Sequence, residues 1–279
     1  METYYKNHGF TLIELSIVLV IIGLIVGGVL VGQDLIRSAE VRAQVTQIEK
    51  YNQAVNTFRG KFGYLPGDML NTAATQFGFN VGTVCNGTQA KRDGNGLIEG
   101  WGGTEPLVQG GQETALFWQD LSFVNLIDGT FPNSGIPVAT CTGVNVTLSG
   151  SAIGAYFPAA KIGHSNYLYV YPYTGSNWYG LSAVTGTSST GWLGSSTSIP
   201  TMQAYNMDKK IDDGLPTTGT VQAVYLSGGG TWPSVAATAP NTATAGGTAA
   251  SCYDTTTGTY SVTPNGGAGA NCALSFQFQ

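Results

Sequence analysis

Twenty consecutive positions near the start of the chain, Leu12 to Val31 (LIELSIVLVIIGLIVGGVLV), contain one charged residue, Glu14. As a helix the run is about 30 Å long, enough to cross the hydrocarbon core of a bilayer. The periodicity then changes without a break. Val41, Val45, Ile48, Tyr51, Val55, Phe58 and Phe62 recur at steps of three or four, while Arg42, Thr46, Glu49 and Gln53 fall on other faces. That is an amphipathic helix with one stripe to bury. Thr11 to Phe62 therefore reads as one rod of about 78 Å, and Tyr64-Leu65-Pro66-Gly67 stops it. The stripe's expected partner is a sheet from the rest of the chain.

A second helical pattern covers residues 112–129 (QETALFWQDLSFVNLIDG), with Leu116, Trp118, Leu121 and Val124 on its apolar side and Asp128-Gly129 as its expected end. Asp68 is placed to cap a short helix before it. Elsewhere strands and turns are expected. In NYLYVYPYTG, Tyr167, Tyr169, Tyr171 and Tyr173 alternate with Leu168, Val170 and Pro172, a two-residue period. Its aromatic face either binds a sugar or packs under a loop. Thr220–Gly229 reads as another strand.

Composition narrows the class. Charged residues are 10 % of the 279, and Gly contributes 40; that suits an exported, loop-rich β domain better than a cytosolic enzyme. Net charge is −5 with no basic run, so no nucleic-acid partner is expected. Cys85, Cys141, Cys252 and Cys272 form no Cys-x-x-Cys pair. Behind an export segment they read as disulfides. Of the three connectivities, Cys85–Cys141 with Cys252–Cys272 closes the shorter loops. From Pro216 onward the only charge is Asp254, and so polar a tail needs a covalent staple to order it.

The apolar run admits three readings. A cleaved secretory signal has a shorter apolar region and an Ala-x-Ala-like site, absent here. An ordinary anchor does not place Glu in its second turn. The third uses the polar leader METYYKNHG, which ends in Gly9 before Phe10. With it, Gly9 to Gly28, including G-F-T-L-I-E-L, resembles the type IV prepilin family, the filament subunits of type IV pili and of type II secretion machinery. The resemblance implies cleavage after Gly9 by a prepilin peptidase, N-methylation of Phe10, and Glu14 as the fifth mature residue.

It also implies an α+β pilin fold, a long protruding N-terminal helix packed on an antiparallel sheet head. Residues 1–9 are then the leader, 10–32 the membrane and filament-core half of the helix, 33–62 its amphipathic half, and 63–279 the head with its disulfide-stapled C-terminal region. Implied partners are other copies of the chain, the peptidase, an inner-membrane platform protein and an assembly ATPase. The chain would span the inner membrane once before assembly, then join an extracellular pilus or a periplasmic pseudopilus. In a staggered helix bundle, the new amine at Phe10 meets a neighbour's Glu14. Misplacement strands a buried charge at roughly 3–5 kcal/mol. Many pili carry a Pro in this helix. Here Gly23, Gly27, Gly28 and Gly32 stand instead. They imply either a stretched segment near Gly27–Gly32 or close helix packing.

GYLPGDM (residues 63–69) resembles a junction after the stalk in a subset of large pilin-like proteins, and residues 112–129 resemble that subset's acidic-aromatic helix. Two acidic stretches are weighed as calcium sites. In KRDGNGLIEG, Asp93, Asn95 and Glu99 echo an EF-hand turn, but Lys91 and Gly102 occupy two ligand positions; a Gly-rich hairpin is the plainer account. In NMDKKIDDGLP, which resembles a late motif of the subset, Asp208, Asp212 and Asp213 cluster. They form either a calcium site or a turn salt-bridged by Lys209 and Lys210. No other cofactor is expected. His164 in KIGHSN has no serine-elbow pattern around it, so no enzyme is expected. The competing functions are a secretion pseudopilin and a membrane-tethered binding module that does not polymerise.

Overall fold

The computed structural model describes residues 11–81, 92–99, 113–131, 149–187, 193–227 and 241–278. Two compact units divide the chain, residues 1–40 and 41–279. Helix α1 (Leu12–Phe62) begins in the first and runs unbroken through all four anchor glycines. Of the two implied readings of those glycines, the stretched segment is not seen. Within the first unit every large apolar side chain from Leu12 to Val31 is at least 50 % exposed, with a mean hydropathy across the window that suits a bilayer.

The second unit is α+β. Its helices are the later part of α1, α2 (Asn71–Phe77), α3 (Glu113–Phe123) and α4 (Thr201–Ile211). Strands β1 (Asn166–Tyr173), β2 (Ser176–Thr187), β9 (Leu274–Gln277) and β4 (Val221–Gln222) lie side by side in that order, all antiparallel, and β3 (Leu193–Ser196) pairs with the far end of β2. Two small ribbons, β5 (Val224–Tyr225) with β6 (Asn241–Thr242) and β7 (Tyr253–Asp254) with β8 (Thr259–Tyr260), complete it.

The register sorts the sheet's side chains. Val170, Tyr179, Phe276 and Val221 stand abreast on one face, as do Leu168, Leu181 and Leu274, because directly paired antiparallel residues share a side. Tyr179 meets Tyr51 of α1 and Phe117 and Trp118 of α3, at 6.1–6.3 Å between rings. Thus α3, buried from Glu113 to Ser122, shares the sheet with α1, where a sheet alone was expected under the stripe. Of that stripe, Val41, Ile48, Tyr51, Val55 and Phe58 are buried, and Val45 and Phe62 partly so. Gln44 and Gln47 share the buried face; their amide oxygens accept the N–H groups of Ile162 and Lys161, both at 3.1 Å.

The opposite face carries Tyr169 over Gly180, where a Cβ would overlap the ring. Both Tyr169 and Tyr171 are buried and bonded: Leu226 N–H donates to the Tyr169 hydroxyl (2.9 Å), and the Tyr171 hydroxyl donates to Ser275 (2.6 Å). The middle of the tyrosine row is therefore packed away, while Tyr167 and Tyr173 at its ends are half-buried.

Four expectations need correction. Helix α3 ends well before Asp128, because Asn125 turns left-handed (φ 56°) and Leu126 N–H reaches back to Leu121. Thr220–Gly229 is no single strand: β4 and β5 break at Ala223, whose N–H goes to Pro216. Thr201–Ile211, expected as strand or turn, is helix α4. Helix α2 starts at Leu70 without a side-chain cap, so Asp68 does something else. Cys252 and Cys272 are bonded, with Cα atoms 4.9 Å apart; Cys85 and Cys141 lie outside the described residues. Replacing Cys252 and Cys272 together by Ser should lower the unfolding free energy by about 3 kcal/mol, read by denaturant titration of the full chain in detergent.

Candidate functional site

Gly9 and Phe10 lie outside the described residues, but the start of α1 is clear. Thr11 N–H and its hydroxyl both donate to Glu14 Oε2 at 2.8 Å, and Glu14 N–H returns to Thr11 Oγ1 at 3.3 Å. This is a reciprocal capping box. Its Thr-x-x-Glu signature stands in the sequence and gives Glu14 a local role beside any role in assembly.

The late acidic cluster does assemble. Asp208, Asp212 and Asp213 each bring an oxygen within 4.8 Å of the others'. All three are also engaged locally. Asp208 accepts Gly214 N–H (3.0 Å) and the Tyr260 hydroxyl (2.7 Å), and Asp213 accepts Leu215 N–H and the Thr218 hydroxyl, both at 2.8 Å. Asp212 accepts Thr220 and Val221 N–H. Burial pushes Asp208 up to about 6, against the lowering effect of its two donors. Lys209 donates to the Tyr205 hydroxyl at 3.1 Å, and among the described residues neither it nor Lys210 forms a salt bridge to this turn. The carboxylates hold the loop between α4 and β4 by its backbone.

A second cluster is drawn from three separated segments. Asp68, 2 % exposed, accepts Gly94 and Gly96 N–H, each at 2.8 Å. It caps the 92–99 turn, not a helix. Among its described residues, 92–99, no strand lies in that turn. Asp93 and Asn95 accept N–H groups two residues ahead, and the Asn177 side chain clamps Ile98 N–H and Gly96 C=O to β2. Glu113, at the start of α3 and 1 % exposed, accepts Glu99 N–H through Oε2 at 2.8 Å. Its Oε1 is buried with no hydrogen-bond partner. Oxygens of Asp68, Asp93 and Glu113 lie within 4.8 Å of one another. Of the two expected acids Asp93 and Glu99, Asp93 belongs to this group; Asp68 and Glu113 come from other segments, a juxtaposition no local spacing reveals.

Burial raises Asp68 to about 7, with Asp93 adding repulsion. Burial raises Glu113 to about 10, with further repulsion from Asp68, Asp93 and Glu99. The neighbouring cation is spoken for: Arg92 Nη1 and Nη2 donate to the two oxygens of Asp120 at 2.8 and 2.6 Å. Gly67 N–H joins the same carboxylate at 2.8 Å. Gly67 has φ 84° and no room for a Cβ against the Glu113 carbonyl, so the Gly63–Met69 motif is a seat for α3.

His164 lies in a turn where it and Ser165 both have positive φ, and no catalytic constellation forms around it among the described residues.

Residues 4–30 match the family model for the prokaryotic N-terminal methylation motif, the type IV prepilin leader signature. Comparisons with curated proteins and with solved structures found no match. The motif supports a pilin- or pseudopilin-like, prepilin-processed protein, and with the apolar helix it fits a membrane-anchored precursor. The long helix and antiparallel sheet are consistent with the pilin fold.

Two outcomes follow from the charges. Carboxyls raised in the folded state bind protons more tightly than in the unfolded chain, so their contribution is full near pH 4 and is lost as pH rises. In chelator, the unfolding midpoint should fall as Asp208 and Asp68 ionise through about 6 and about 7. It should fall further toward Glu113's value of about 10, and Glu113→Gln should flatten that upper limb. Arg92→Met should destabilise by about 3–5 kcal/mol by stranding the Asp120 charge, and adding Asp120→Leu should recover most of it, both read by denaturant unfolding.

Proposed function

We propose that the chain is the structural subunit of a type IV pilus-like filament, cut after Gly9, methylated at Phe10 and polymerised through α1. The observation that carries this reading is the methylation motif at residues 4–30, which takes in nearly all of the apolar run Leu12–Val31 with its single carboxylate, Glu14. A helix whose Leu12–Val31 side chains are exposed in the isolated chain needs an apolar environment. The inner membrane supplies one before assembly and neighbouring copies supply it afterwards. In that bundle the amine of Phe10 meets Glu14 of the adjacent copy, and an unpaired charge rejects any other register. The role is structural rather than catalytic. The partners are other copies, the peptidase, and the platform protein and ATPase that drive assembly, and the destination is the cell surface.

Glu14→Ala separates this reading from a tethered binder, and the location of the filaments separates it from a pseudopilin. Sheared surface fibres should contain the wild-type chain beginning with N-methylated Phe10 by mass spectrometry, and the variant should be missing from them while still reaching the membrane. Recovery of the intact leader on a lipid-bound monomer would overturn polymerisation. Filaments confined to the periplasm would overturn the pilus.

A further inference from the structure

We propose that Asp68, Asp93 and Glu113 form a binding site for a divalent hard cation, calcium in preference to magnesium. It would tie the Gly63–Met69 turn, the 92–99 turn and α3 together. The site lies wholly within the unit of residues 41–279 and does not depend on whether the chain polymerises.

Three carboxylate oxygens from separate segments converge within 4.8 Å. Convergence of acids is common, and the decisive feature is Glu113 Oε1. That atom is buried on a side chain 1 % exposed and has no donor, although a buried acceptor left unpaired costs about 1–3 kcal/mol. Its sister oxygen and both Asp68 oxygens are bound by backbone N–H groups, which fixes the two carboxylates in place. Among the described residues no cation is paired with them, and both terminal nitrogens of Arg92 face Asp120. A cation at Oε1 would satisfy the orphan and offset the mutual repulsion together.

The donor set selects the ion. Every donor is a carboxylate oxygen, with no His or Cys, which disfavours zinc. Several protein carboxylates in an irregular cage suit calcium; magnesium holds its waters and wants near-octahedral geometry. The exposed Asp93 side leaves an entry path and room for water to fill the remaining positions. The late cluster contrasts with it, because each of its three carboxylates already caps backbone or hydroxyl donors.

The test uses the full chain in mild detergent, stripped with EDTA and then titrated with calcium chloride or magnesium chloride near neutral pH. Intrinsic tryptophan fluorescence follows thermal unfolding. Calcium should raise the midpoint by about 5–10 °C at a hundredfold excess over Kd, and magnesium by less. Asp93→Asn keeps an acceptor for Asn95 N–H, so it should unfold normally in EDTA yet bind calcium at least tenfold more weakly. Glu113→Gln should do the same, and Asp93→Asn decides alone if that variant does not fold. Asp213→Asn should retain the full response. The proposal is overturned if calcium leaves the midpoint unmoved, if its effect survives Asp93→Asn, or if Asp213→Asn abolishes it. It is overturned equally if magnesium matches calcium.

Discussion

A carboxylate with no access to water organises the middle of the head. Asp120 faces inward from α3 and takes both ends of the Arg92 guanidinium and the N–H of Gly67. One side chain therefore fixes three segments that are distant in sequence. Removing either charge leaves the other buried, which is far more costly than never having built the pair. Once the pair is set, Gly67 brings its backbone against the first turn of α3, Asp68 follows into the 92–99 turn, and Glu113 arrives beside it. The acidic cluster is thus a by-product of the same geometry: three segments drawn together by a buried ion pair bring their remaining acids into one place.

Glu14 shows the same physics in another solvent. Where the head buries a charge with a permanent partner, the anchor carries one held only by its own first turn, through Thr11. A local cap makes the carboxylate tolerable in a single helix. It leaves the acid available to a stronger, charged partner when helices gather. The chain therefore places one polar demand in an apolar rod, and in the filament proposed above assembly would meet it in full.

The elements legible in the sequence were those whose burial is dictated by local repetition. α1 could be read to within a residue, since its stripe runs for six turns, and the closing of Cys252 with Cys272 followed from their short spacing. Helix α4 was hidden because TMQAYNMDKKI has few apolar residues; Ala204 and Met207 bury it, together with Asp208. The tyrosine row left two readings open, and the packed one is what the structure has. Its period of two is real, but its middle is covered on both faces, and a hydroxyl bonded to Ser275 lets Tyr171 lie in the core. Gln44 and Gln47 look like solvent positions until the 159–162 backbone is placed against them. Asp68 and Glu113 meet only in three dimensions.

The order of strands carries a kinetic consequence. Residues 178–181 of β2 pair on one side with their immediate neighbour β1 and on the other with residues 274–277. The hairpin of β1 and β2 has everything it needs to close early, whereas its second edge waits for a segment that must diffuse back across a long loop. During that interval the open edge is a template for the matching strand of another copy. The Cys252–Cys272 bridge, once oxidised, ties the incoming strand to the ribbon of β7 and β8 beside it. It thereby shortens the search and biases each head toward closing on its own chain.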